Sequence, residues 1–309
     1  HPVIAYAVVW DPGHTGLRTV GRLMLPIMFG VGLGQINLIV NQTFFGSLLP
    51  AGSINALNLA SRIMMVPVSL AAALAIAILP NLAEVASAGD RDTFYRYLSG
   101  AMRVIIFVSV PATVGFWLLR VPLVAVMFQH GRFTAHDVTV TAGALGFYVL
   151  GILPYGAMEV IARGFYAYQD TRTPVAVGVV AIGVGFVASV LLMGPLQQAG
   201  LALAYAMTGW TNLLLLMHMM RRRFGPIGAT RMLRTGLRTL LAALVMAIGV
   251  AMTRYLVLAW VDSAHFAVRA AALVLMMVIG TALFLLAARR FHVEEYDLIV
   301  SRVFSRRAR

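Results

Sequence analysis

Residues 52–80 read GSINALNLASRIMMVPVSLAAALAIAILP. As a helix this stretch is long and apolar enough to cross about 30 Å of hydrocarbon, and its one charge, Arg62, has no acid beside it. The rest of the chain shares that character. Its 309 residues are 61% hydrophobic and 11% charged, whereas soluble domains carry about 25% charged residues. An all-α integral membrane protein is therefore expected.

Apolar runs of spanning length fall at 22–44, 53–83, 97–119, 138–162, 174–193, 200–220, 238–259 and 266–288, which predicts a polytopic bundle of about eight transmembrane helices. All 24 basic residues are arginine, and they give a net charge of +13. A nucleic-acid partner would suit that charge. The arginines, however, sit in short clusters between apolar runs, the pattern of a topology signal, so no nucleic acid is expected. One set of alternate loops and chain ends collects Arg18, Arg22, Arg91, Arg96, Arg103, Arg163, Arg172, Arg221–Arg223, Arg231, Arg234, Arg238, Arg289, Arg290 and the tail arginines, against Arg120, Arg132, Arg254 and Arg269 on the other. The positive-inside rule then places both termini in the cytoplasm.

The connections are short and rich in turn residues, so function is expected within the membrane. The domain reading is a cytoplasmic linker at 1–21, a six-helix lobe at 22–222, two C-terminal transmembrane helices at 223–290 and a cytoplasmic tail at 291–309. That tail alternates apolar and basic residues, as a segment on the lipid surface or a solvated one would. The chain opens HPVIAYAVVW, without Met or a signal sequence, and is read as the downstream part of a longer protein. Zero cysteines exclude disulfides, thiolate metal sites and cysteine nucleophiles.

A charge at mid-bilayer costs at least about 2.5–3.5 kcal/mol on insertion scales, so an intramembrane arginine needs a partner or a watered cavity. Arg62 lies close to the midplane. Asn55, Asn58, Arg62 and Ser69 share one helical face. Gly30, Gly34, Asn37 and Asn41 form a matching stripe on the first helix. Tyr148, Tyr155, Glu159 and Arg163 do so on the fourth, and Tyr205, Thr208 and Asn212 on the sixth. The uncharged residues serve either as hydrogen-bonding glue between helices or as a cavity lining. Glu159 and Arg163, at i and i+4, also suit a mutual ion pair. Arg62 has no such companion, and a guanidinium facing a polar cavity suits an anion, phosphate above all. The candidate substrate-binding residues are Arg62, Asn55, Asn58, Asn37, Asn41 and Glu159, with the first, second and fourth helices around one cavity. Pro26, Pro67, Pro80, Pro111 and Pro154 interrupt helices, as static kinks or as moving parts of a transporter.

Enzymatic signatures are missing from the sequence: no HExxH, no GxSxG, no P-loop and no converging pair of intramembrane carboxylates. No catalytic residue, cofactor or metal is expected. FQHGRFTAHD (128–137), ARGFYAYQDTRTPV (162–175), GPLQQAGLALA (194–204) and ASRIMMVPVSLAAALAIAILPNLAE (60–84) together resemble the MurJ (MviN) family of lipid II flippases, within the multidrug/oligosaccharidyl-lipid/polysaccharide exporter superfamily. The resemblance covers most of residues 20–220. It implies the second six-helix lobe and two C-terminal helices of a fourteen-helix bundle, with a missing N-terminal lobe as partner, in the bacterial cytoplasmic (inner) membrane. It implies alternating access around a cationic cavity that passes the diphosphate-sugar headgroup of lipid II, the polyprenyl tail staying among membrane lipids along a groove lined by the last two helices. Arg62 matches a family arginine facing that cavity. Ser61 stands where an acid is common in the family, and Glu159 where a basic residue is. A polysaccharide-unit flippase or drug exporter of the same superfamily, an intramembrane enzyme acting on polyprenyl phosphates, and a non-transporting membrane scaffold are the other readings.

Overall fold

The computed structural model describes residues 38–225, 228–261 and 265–296, together with Gly21, Met24, Leu25, Met28, Gly30, Gly32, Gly34, Gln35 and Ile36. Asn37, Pro26, the linker at 1–20 and the tail from 297 onward lie outside the described residues. The described positions from Gly21 to Ile39 are helical and pass into a π-helical turn at Val40–Phe45. Seven helices follow: α1 (Ser53–Ser87), α2 (Arg91–Phe128), α3 (Ala135–Tyr148), α4 (Ile152–Ala167), α5 (Arg172–Phe224), α6 (Ala229–Val261) and α7 (Phe266–Arg290).

Helix starts follow local chemistry. Asp90 accepts the Thr93 amide at 3.0 Å ahead of α2, and Thr134 and Asp137 form a reciprocal capping box on α3. Asp170 takes both the amide (3.0 Å) and the hydroxyl (2.7 Å) of Thr173 at the head of α5. Gly52, at φ 92°, turns the chain into α1 where a side chain would be strained.

The described helices include six stretches long and apolar enough to cross a membrane, α3 and α4 counting as one. α5 is itself two spans. Gln197, at φ 51° and ψ −131°, breaks its helical path. Across that break Gly200 meets Leu192, Gly185 meets Thr208 and Gly178 meets Asn212. The numbers rise on one limb as they fall on the other, so the limbs are antiparallel, and six stretches become seven spans. The described helical positions before Phe45 stand where the sequence places the first of the eight expected spans. α2 begins before its apolar run, because Arg91, Asp92 and Arg96 continue the helix beyond the hydrocarbon, and it runs on past that stretch to Phe128.

Two prolines leave carbonyls that the fold satisfies from other helices. A proline removes the amide that would bond the carbonyl four residues earlier. Pro154 frees Leu150, whose oxygen accepts Trp210 Nε1 at 3.1 Å, and a 3-10 turn at Val149–Gly151 separates α3 from α4. Pro122 frees Leu118, whose oxygen accepts an Arg254 guanidinium N–H at 3.3 Å. The sequence predicts one span over 138–162. The structure bends it at that 3-10 turn, just ahead of the proline.

α1, α3, α4 and the two limbs of α5 pack around one core containing Leu57, Met64, Leu145, Tyr148, Ile152 and Leu201, while Leu82, Phe94, Leu98, Ile161, Phe165 and Met220 form a second core. α6 and α7 pack on each other and on α2. The chain after α7 turns back to α2, where Arg103 meets Glu294 and Glu295. Contacts of Arg223 with Asp170 and of Arg238 with the His292 carbonyl gather the arginine-rich loops at one end of the bundle. At the other end Arg269 donates to Gln129 at 3.2 Å. Outward positions such as Val187, Leu191, Leu233 and Ile248 are exposed and apolar, the surface a hydrocarbon solvent requires.

Candidate functional site

A cavity of about 390 Å³ opens among the first span, α1, α4 and both limbs of α5. α4 supplies Tyr155, Glu159 and Arg163 at i, i+4 and i+8, so one helical face delivers all three. The second limb of α5 supplies Tyr205, Thr208 and Asn212, and the first span supplies Gly30, Gly34 and Gln35. Met65 is the contribution of α1. Gly185 lets the limbs of α5 close behind this wall: a Cβ there would lie 1.9 Å from Thr208 Oγ1, so no side chain fits without a shift.

The wall sets a cluster of polar side chains among apolar ones, and its charges balance. Arg163 and Glu159 pair at 3.4 Å, with the guanidinium 5.7 Å from the Tyr166 ring. Tyr155 stacks on Tyr205 with centroids 4.6 Å apart and donates its hydroxyl to the Tyr205 carbonyl at 3.1 Å. The Thr208 hydroxyl donates to Ala204. Arg163 Nε and Asn212 Oδ1 are buried without a hydrogen-bond partner among the described residues. A buried donor and a buried acceptor left open on one wall are what a polar ligand or water would satisfy.

The expected site residues separate into three groups. Glu159 lines the cavity. Asn41 does not: it is buried, its Nδ2 donates to Ser189 Oγ at 2.8 Å, and that hydroxyl donates to Gly185 O at 2.9 Å, so it bonds the first span to α5 as interhelical glue. Asn55, Asn58 and Arg62 lie on the face of α1 outside the cavity wall. Asn58 Nδ2 donates to the Ile54 carbonyl of its own helix at 2.9 Å. Asn55 and Arg62 are exposed, and Arg62 has no hydrogen-bond or ion-pair partner among the described residues. Met65, one turn further along α1, reaches the wall. The first, second and fourth helices thus do border one cavity, together with both limbs of α5, but Arg62 stands beside it.

Tyr155, Thr208 and Asn212 were visible as helix-periodic stripes, whereas Gln35 sits one position off the glycine stripe and carried no such signal. A second cavity, about 250 Å³ and apolar, lies between α2 and the last two helices, lined by Pro111, Phe116, Met246, Val250, Met276 and Phe284 among others. Among the described residues no three His, Asp or Glu side chains converge as metal ligands.

The family model described as "Lipid II flippase MurJ" matches residues 4–286. A "Probable lipid II flippase MurJ" of Vibrio cholerae serotype O1 is 35% identical over 207 residues, 67% of this chain and 39% of that protein. The "Lipid II flippase MurJ" of Burkholderia cenocepacia is 32% identical over 211 residues, covering 68% of this chain and 41% of its own length. Among solved structures, "Lipid II flippase MurJ, inward closed conformation" superposes with a TM-score of 0.72 at 22% identity, over 96% of this chain and 58% of that one. A MATE P26A mutant gives 0.59 at 17%, over 92% and 69%. These two likenesses are of fold. The chain spans 39–44% of the length of the first four curated relatives it matches.

Proposed function

The chain belongs to the MurJ lipid II flippase family, and we propose that it forms part of a transporter moving a polyprenyl-diphosphate-linked glycan, of the lipid II class, across the bacterial cytoplasmic membrane. The role is transport and not catalysis. Both termini are cytoplasmic in this reading, because the arginine-rich loops share one end of the bundle.

The observation that carries the proposal is the guanidinium of Arg62, unpaired among the described residues, within a membrane-spanning helix. It comes nine residues after Ser53 (62 − 53), about 14 Å along the axis at 1.5 Å per residue. The wall beside it is charge-balanced, so Arg62 is the group there with positive charge to offer a diphosphate. Its planar fork matches two phosphate oxygens at once. Glycan hydroxyls would meet Glu159, Arg163, Gln35 and Asn212, where open donors and acceptors stand. The face of α1 bearing Asn55 and Arg62 would meet the counterpart lobe, the site closing between the two. The apolar cavity on α6 and α7 supports the passage of a polyprenyl chain alongside.

Translocation is tested with the full-length protein in proteoliposomes, measuring how fast a labelled polyprenyl-diphosphate glycan becomes accessible on the far leaflet. Wild type should move it, and Arg62→Ala should not. Wild-type rates from Arg62→Ala, or export of organic cations with no movement of the lipid, would overturn the reading. Topology is checked separately by Gln198→Cys, which should label from outside the cell.

A further inference from the structure

At the arginine-rich end of the bundle a third cavity of about 380 Å³, sharing no lining residue with the cavity on α4, opens between α2, the first turns of α6 and the strap that follows α7. Arg103, Arg231, Arg234, Arg238, Thr235 and Glu294 line it. The strap holds one side. Arg103 contacts Glu294 at 2.5 Å and Glu295 Oε1 at 3.3 Å, and Arg238 donates to the His292 carbonyl at 2.8 Å. Arg231 and Arg234 are left exposed, with no hydrogen-bond or ion-pair partner among the described residues.

Four guanidiniums at this site face two carboxylates, Glu294 and Glu295, a surplus of two positive charges (4 − 2). Their position makes the surplus harder to hold. Arg231 and Arg234 sit in the first turns of α6, where the positive end of the helix dipole disfavours cations and attracts anions. Among the described residues no carboxylate pairs with Arg231 or Arg234 to offset that repulsion. Leu233, Leu237, Leu240 and Leu244 form a neighbouring stripe of the same helix, exposed by 74%, 59%, 44% and 50%. A cationic pocket at a membrane boundary beside an exposed aliphatic face is built for a molecule with an anionic head and acyl chains.

We propose that this cavity binds the phosphate diester of an anionic glycerophospholipid, the guanidiniums of Arg231 and Arg234 clasping the phosphate while the acyl chains run down the leucine stripe. Inorganic phosphate shares the head chemistry but leaves the leucines uncovered. The site is distinct from the one assigned to the transported lipid, and its occupancy is read without reference to transport.

Native mass spectrometry of the full-length protein, released from nanodiscs containing phosphatidylglycerol and phosphatidylcholine, measures retained lipid directly. Phosphatidylglycerol should be retained in preference. Arg231→Gln with Arg234→Gln should weaken it about thirtyfold, the equivalent of about 1 kcal/mol per arginine near a membrane surface. Arg289→Gln with Arg290→Gln, the same charge change at two arginines that do not line this cavity, should leave retention within about threefold of wild type. Equal retention by the Arg231/Arg234 variant would overturn the proposal, as would an equal loss in the Arg289/Arg290 control. Calorimetry showing that inorganic phosphate alone binds as tightly would overturn the lipid assignment. Both Arg231 and Arg234 are exposed, so the variant folds, which an unchanged melting temperature verifies.

Discussion

Arg103→Leu should be among the most damaging single substitutions outside the cavity on α4. Glu295 is 1% exposed and Arg103 17%, and they lie 3.3 Å apart although the Arg103 Nε is not aligned for a hydrogen bond. The Thr235 hydroxyl, donating to Glu295 at 3.4 Å, is a weak substitute, and Glu295 Oε2 has no partner among the described residues. Removing the guanidinium therefore strands a buried carboxylate, which costs about 3–5 kcal/mol. At roughly 2–4 °C per kcal/mol for a large domain, the melting temperature of the purified protein should fall on the order of 10 °C. The same physics predicts recovery. Arg103→Leu combined with Glu295→Leu replaces the pair by apolar volume and should return to within about 1 kcal/mol of wild type. Glu294 is 67% exposed, so Glu294→Gln should cost no more than a surface pair, about 0–1 kcal/mol. Denaturant titration of wild type and the three variants is the assay. A single Arg103→Leu variant within 1 kcal/mol of wild type, or a double variant as unstable as the single one, would refute the argument.

Arg62→Lys keeps the charge but loses the bidentate fork, so it should flip the labelled lipid at an intermediate rate, and its stability should stay within about 0.5 kcal/mol of wild type because no partner is stranded; a stability loss of several kcal/mol would reveal a structural pair instead. Gly185→Ala should destabilise by about 1–3 kcal/mol through overpacking against Thr208, and Thr208→Ala in the same chain should recover most of it; additive losses in denaturant titration would contradict the contact. Trp210→Phe should cost about 1–3 kcal/mol by leaving the Leu150 carbonyl open. In a Pro154→Ala background, where the helix can satisfy that carbonyl itself, the loss should shrink, and an unchanged loss would show the indole bond to be incidental.

The spans were legible because their cause is local. A run of apolar residues declares a membrane helix whatever it packs against, and Gly52, Asp90, Thr134 and Asp170 act on the chain within a few residues of themselves. The stripes on α4 and α5 were legible for the same reason: Tyr155, Glu159 and Arg163 repeat with the helix. Partnerships were not. Nothing in the sequence ties Asn41 to Ser189, Trp210 to Leu150 or Arg103 to Glu295, since each bond depends on which helices the fold sets side by side. The bend at Pro154 falls between these cases, the freed carbonyl being readable and its indole donor on another helix not.

Arg62 shows where helical periodicity stops being enough. It shares a face with Asn55 and Asn58, and a common face is easily taken for a common cavity, yet α1 is wide enough that Met65 reaches the wall while Arg62 points beside it. In the proposed function, a charge-balanced wall and an adjacent cation with no partner among the described residues together make a site that is incomplete. The cation gains a reason only when a second surface covers that face and brings an anion between them. Under the proposed function, the positive charge needed to hold a diphosphate would be displayed when the surfaces face each other across an open cavity. It would then be matched by the ligand and not by a permanent acid, so the ligand could leave without breaking an internal ion pair. An acid beside Arg62 would stabilise the resting protein and spoil that exchange, which is a physical reason for the isolation of Arg62 in GSINALNLASRIMMVPVSLAAALAIAILP.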